Sequence, residues 1–167
     1  MLGKNLVFVA GFVLSAGALF SADANLASPL RIDIPVKLEK AKVVFNVDRL
    51  ATSGDMPVAL GHLLLLTNDL RESGGKGQVI AIFHTDAGHV TLNDKAYNAE
   101  RGVTTGNPYK AIVAELVQRG VQVELCGATA KAHNWVNADL LPGIKVNTDA
   151  MARLTQLMQE GYAQLKE

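Results

Sequence analysis

Apolar and polar positions fall in blocks along this chain, and the blocks have two different periods. Residues 42–47, with Val43, Val44, Phe45 and Val47, and residues 78–83, with Val79, Ile80, Ile82 and Phe83, are short apolar runs bounded by turn signals. Such runs read as strands buried on both faces. Residues 121–127 form a third, in which Val121, Val123 and Leu125 alternate with Gln122, Glu124 and Cys126 before Gly127. After Leu141, Pro142 and Gly143 turn the chain, Ile144 to Val146 read as a last short strand.

Between these runs the period lengthens to that of a helix. Asp55 is placed to cap a helix with Pro57 in its first turn, running to about Arg71. Leu60, Leu63, Leu64, Leu65, Leu66 and Leu70 cover most of its circumference, which predicts burial on more than one side. His62 lies on its more polar side. A short helix is expected from Asp94 to Arg101. The best-marked helix has Asn107 as cap and Pro108 at its start, apolar Tyr109, Ile112, Val113 and Leu116 on one stripe, and Gly120 as its stop. It leads directly into the third strand, as the second half of a right-handed β-α-β crossover does. Residues 129–140, with Trp135, give one or two helical turns. Thr148 and Asp149 begin a final helix whose Met151, Leu154, Met158, Tyr162 and Leu165 would cover the sheet.

Strands alternating with helices predict a three-layer α/β/α domain with a mainly parallel sheet of four or five strands. The single domain is expected over residues 36–167, behind an extended lead-in at 25–35 that carries two prolines.

Composition narrows the class of function. Of 167 residues, 49% are hydrophobic and 19% charged, and 16 basic side chains balance 16 acidic ones. A globular core is therefore expected, and no field is present to attract nucleic acid or an anionic membrane surface. The amino terminus has the form of an export signal: Lys4, an uncharged apolar stretch from Leu6 to Phe20, and the small-x-small site Ala22, Asp23, Ala24. The apolar stretch is shorter than the roughly 20 residues of a spanning helix. Cleavage would leave a mature chain beginning near Asn25, with no stable membrane insertion after it and an exported, periplasmic location expected.

No cofactor is indicated. The dinucleotide and phosphate-loop fingerprints are absent, as is the serine-hydrolase elbow; Ser73 to Gly77 follow a helix and precede a strand, the reverse of the phosphate-loop order. His84, Asp86 and His89 cluster after the second strand but meet no defined ligand spacing, so no metal is expected.

Cys126 is the only cysteine, so the fold has no internal disulfide to hold it. At the carboxyl end of a central strand it occupies the place where open parallel sheets put their ligand sites. Two readings stand open. The thiol faces main-chain N–H groups of Gly127, Ala128 and Thr129 at the next helix start, which would favour a reactive thiolate. Alternatively it is a small buried hydrophobe. His133, a few residues on, is either a base reaching back to the sulfur or a solvated histidine.

From about Lys42 onward the order of features resembles the DsrE/DsrF-like family of sulfur-relay proteins. The resemblance rests on Asn107, Pro108 and Tyr109 opening a helix, Leu116 to Val121 leading into a strand, Cys126 at its tip, Leu141 to Ile144 before the next strand, and Leu154 to Tyr162 near the end, with His84 at a position where these proteins often carry histidine. It implies a small α/β fold that forms homo-oligomers. In active members a cysteine at this strand end carries sulfur as a persulfide, a position Cys126 matches, so sulfur donor and acceptor proteins are the implied partners. Where many relatives place arginine and glycine after the cysteine, this chain has His133 and Asn134. The two functional expectations are a persulfide-carrying Cys126 tuned by His84 or His133, and a non-catalytic oligomeric module that holds a small ligand at the same strand ends.

Overall fold

The computed structural model describes residues 30–167. The expected export signal lies outside the described residues. Residues 30–35 have no regular structure and carry an exposed Arg31–Asp33 ion pair at 2.6 Å. Val36–Glu167 form one compact unit. Its elements are β1 (Lys40–Val47), β2 (Thr52–Ser53), β3 (Met56–Pro57), α1 (Val58–Glu72), β4 (Lys76–Phe83), α2 (Asp94–Arg101), α3 (Lys110–Gln118), β5 (Gln122–Cys126), α4 (Gly127–Ala132), β6 (Lys145–Asn147), α5 (Ala150–Gln159) and β7 (Ala163–Lys166). Short 3-10 turns at Thr85–Thr91 and Asn137–Asp139 complete the unit.

The main sheet has the order β6-β5-β4-β1-β7, and every neighbouring pair is parallel. Alternation of side chains along each strand sends two sets of residues to opposite faces. Phe45, Val47, Val79, Ala81, Phe83 and Val123 pack with Leu60, Leu63, Val113 and Leu116 of α1 and α3. Val44, Ile80, Ile82 and Cys126 pack with Ala150, Leu154 and Leu157 of α5. The result is the expected α/β architecture, with α5 forming the third layer. Burying one such leucine or phenylalanine side chain contributes about 1.5–3 kcal/mol.

Several boundaries differ from the sequence reading for identifiable reasons. Asp55 does not cap α1: it sits in the tight turn of the β2–β3 hairpin, and Pro57, extended at ψ 125°, is the cap residue instead. Leu65 is 59% exposed, so α1 buries mainly one side; His62, on the solvent side, meets Glu167 Oε1 at 2.8 Å. Asn107 precedes α3 rather than capping it directly. It is buried, accepts from the Tyr109 amide at 2.8 Å, and donates its side-chain amide to the Val90 and Leu92 carbonyls. It thereby ties the α3 approach to the turn after β4.

The largest difference is at the carboxyl end. The expected last helix stops at Gln159, and Gly161 takes a left-handed φ of +87° that a continuing helix cannot accommodate. Ala163–Lys166 then run as β7 beside β1, so β6 is not the last strand. Met151 and Met158 consequently face solvent, and the buried stripe of α5 is Ala150, Leu154 and Leu157. Among the described residues no helix is long and apolar enough to cross a membrane.

Candidate functional site

The carboxyl ends of β1, β4, β5 and β6 put four side chains on the α5 face of the sheet. In the β4–β5 register Ile82 pairs with Glu124 and Phe83 with Leu125, and His84 and Cys126 are the next residues along the two strands. Asn46 lies one strand over on β1, where it pairs with Ile82, and Asn147 of β6 pairs with Cys126. Parallel alternation gives all four the same face, and neighbouring strands lie about 4.8 Å apart.

Cys126 closes β5 and is only 4% exposed. Its sulfur makes no cap hydrogen bond to α4; it accepts instead from the main-chain N–H of Ala150 at 3.2 Å. Ala150 is the first residue of α5, whose cap Asp149 accepts from the Ala152 amide. The positive end of a helix therefore does meet the thiol, but the helix arrives from a distant part of the chain. Gly127, expected to present its amide to the sulfur, serves another purpose. A Cβ there would stand 2.4 Å from the Asn147 carbonyl oxygen and 2.9 Å from that of Thr148. Only glycine lets the β6–α5 connection close over the tip of β5. Thr129 is buried with its hydroxyl oxygen accepting from the Thr85 amide at 3.0 Å, and Ala128 faces solvent.

His84 is buried, and its Nε2–H donates to Asn46 Oδ1 at 2.7 Å. That bond fixes the proton on Nε2 and leaves Nδ1 as the acceptor of the neutral ring. Burial holds the ring below its ordinary pKa; Asp48 pulls the other way and Lys166 adds to the lowering. The two charges themselves pair at 3.7 Å across the tips of β1 and β7.

His133 is not brought to the sulfur. It ends α4, where its Nδ1 lies 3.0 Å from Glu100 of α2 and its ring stacks on Trp135 with centroids 4.4 Å apart. Trp135 borders, on the opposite face of β5 from Cys126, a cavity of about 330 Å³ lined also by Leu125, Gly127, Ala130 and Leu140. The histidines after β4 separate as well: His84 is held by Asn46, whereas His89 lies at the α3 side against Tyr97 and Tyr109. Among the described residues no group of three or more His, Cys, Asp or Glu is arranged to hold a metal ion.

Two residues of the site went unnoticed in the sequence. Asn46 interrupts an apolar strand, and Glu124 sits 2% exposed in the middle of β5. Arg153 of α5 grips Glu124 with Nε and Nη2 at 3.0–3.2 Å, while Gln122 and Asn147 donate to the same carboxylate at 2.6 and 2.9 Å. Burial pushes this carboxyl up, but the donors from Arg153, Asn147 and Gln122 outweigh it and hold it below the ordinary value. The network anchors α5, and so the Ala150 amide, against β5. A polar side chain at every second position of an otherwise apolar strand was the available signal.

No curated protein matches the chain. Among solved structures, protein MTH1491 of Methanobacterium thermoautotrophicum, of unknown function, is similar with a TM-score of 0.55 and 22% identity, covering 76% of this chain and 99% of its own. The ychN protein of E. coli is similar with a TM-score of 0.54, 22% identity and the same coverage. These likenesses concern the fold. The DsrE/DsrF-like family model matches residues 39–166, from the start of β1 to the end of β7. The chain belongs to the DsrE/DsrF-like family.

Proposed function

We propose that this protein handles sulfur outside the cytoplasm, as an exported homo-oligomer in which Cys126 accepts a sulfur atom and passes it on. Family membership is consistent with sulfur relay. The observation that carries the finer reading is the environment of the sulfur: it ends β5, accepts the first amide of α5 at 3.2 Å, and shares its face with a histidine held neutral.

The chemistry needs no redox partner. The Cys126 thiol gives its proton to a base, for which His84 Nδ1 is the nearest candidate in register, and the thiolate attacks the outer sulfur of a donor persulfide. The donor S–S bond breaks as the new one forms, and the donor leaves as a thiolate, so Cys126 holds the persulfide with no net oxidation. An acceptor thiolate reverses the exchange. The Ala150 N–H stabilises negative charge on the sulfur in both directions. The export reading rests on Lys4, the Leu6 to Phe20 stretch and the Ala22–Ala24 site.

A second reading is favoured by the depth of the thiol. Cys126 packs among Val44, Ile80, Ile82, Leu154 and Leu157, as a small apolar residue of the core does. In that reading the protein is a binding module and the cavity beside Trp135 takes the ligand. Alkylation of the native protein separates the two. Reaction at a rate comparable with a small free thiol supports sulfur transfer; labelling only after unfolding supports the binding module.

A further inference from the structure

A second polar cavity, of about 420 Å³, opens on the α1–α3 side of the carboxyl strand ends, across the sheet from Cys126. Its wall includes Arg49 after β1, Asp86 and His89 after β4, Arg101 at the end of α2, and Tyr109 before α3. Four segments of the chain thus converge on one hollow.

The charges are unevenly matched. Arg49 reaches only the adjacent Asp48, Nε to Oδ1 at 3.3 Å, and remains largely exposed. Arg101 forms no salt bridge among the described residues and lies beside Tyr97. Asp86 is the only acid in the wall, and its main-chain carbonyl rather than its carboxylate is engaged, by His89 Nδ1. His89 is 8% exposed and held between the rings of Tyr97 and Tyr109, with centroids 5.7 and 6.1 Å away. With Nδ1–H committed to that carbonyl, Nε2 has no hydrogen-bond partner among the described residues. Asn147 Oδ1 is the only fully buried side-chain polar atom without a partner among the described residues, so Nε2 keeps access to the cavity, in a wall that also carries two guanidinium groups.

We propose that this cavity binds a small oxyanion, such as a carboxylate or phosphate group, and that binding draws a proton onto His89 Nε2. The guanidinium groups supply forked donors of the kind that recognise such anions, and protonation converts Nε2 from an acceptor that repels the anion into a further donor. Burial and then Arg101 lower the pKa of His89, against weaker opposing influences from Asp86 and Glu100. An anion adds the charge that reverses this balance. The groups facing the ring are Asp86 on its own turn, Tyr97, Glu100 and Arg101 from α2, Tyr109 from the α3 approach and Arg49 from the β1 end. The proposal does not depend on sulfur chemistry at Cys126.

The test is NMR of the histidine rings in the purified protein, titrated separately with inorganic phosphate and sodium acetate at ionic strength matched with chloride. At least one anion should give a saturable shift of the His89 resonances, tighter at lower pH. Phosphate alone or acetate alone identifies which oxyanion class is taken. Arg101→Gln, a change at an exposed position, should weaken the effect by about tenfold or more. Absence of saturation with both anions overturns the proposal, as does saturation that is unchanged in Arg101→Gln or independent of pH.

Discussion

The amide of Ala150 donates to the sulfur of Cys126 at 3.2 Å, joining the tip of β5 to the start of α5 across 24 residues of sequence. The same two elements are joined a turn further on by Arg153 and Glu124. The position of the helix start, and with it the charge environment of the sulfur, is set by this pair of contacts.

Asn46→Ala removes the acceptor of a buried His84 N–H, which should cost about 1–3 kcal/mol of stability. It also frees the ring to change tautomer, so native alkylation of Cys126 should slow by about threefold or more. His133→Ala should leave that rate within about twofold, because its partners are Glu100 and Trp135. Equal slowing by both substitutions would contradict the assignment of His84.

Gly127→Ala forces a Cβ against the carbonyl oxygens of Asn147 and Thr148. These are backbone atoms at the entrance to α5, so the expected loss is about 1–3 kcal/mol, with the Ala150 amide displaced from the sulfur. Thermal melting together with alkylation measures both effects; a fully stable variant with an unchanged thiol would show that the close approach is unimportant.

Acid should destabilise the protein in two stages. His84 and His89 are both held below 6.5 by burial, so the unfolded chain binds protons that the folded chain resists. Their contribution is complete above pH 6.5 and is lost as the pH falls through their folded values. Glu124 is depressed from 4.5, so its contribution is complete above that pH and is lost on further acidification. Denaturant midpoints measured from neutral pH downward should fall first below 6.5 and again below 4.5. Glu124→Gln should flatten the second fall and, by leaving Arg153 without its carboxylate, cost about 2–4 kcal/mol near neutral pH. A midpoint that stays constant to pH 4.5 would contradict the burial of neutral histidines.

Much of this arrangement is written in local pattern. The apolar runs around Val44, Ile80 and Val123, the stripe of α3 and the position of Cys126 at a strand end follow from periodicity and turn residues. β7 did not, because Ala163 to Lys166 is short, exposed and lies at an edge, where pairing with β1 rather than hydrophobic pattern makes it a strand. The cap of α1 was missed because the Thr52–Pro57 hairpin takes up the residues that would begin a helix. The sulfur's donor was beyond local reading altogether: Gly127 to Thr129 follow Cys126 in sequence, whereas Ala150 meets it only because α5 folds back across the sheet.

Export makes a prediction of its own. Protein recovered from the producing cells should have an amino terminus at or near Asn25, read by amino-terminal sequencing. Intact Met1 in a membrane fraction would contradict cleavage.

The central claim is that Cys126 carries sulfur, and mass spectrometry of the protein isolated from its native compartment without reductant tests it most directly. The account predicts that a fraction of the Cys126 peptide bears the mass of one or more added sulfur atoms, that reductant removes it, and that a Cys126→Ser variant folds normally yet acquires none in the presence of a persulfide donor. An unmodified Cys126 peptide, in protein that also fails to take up sulfur from such a donor, would contradict it.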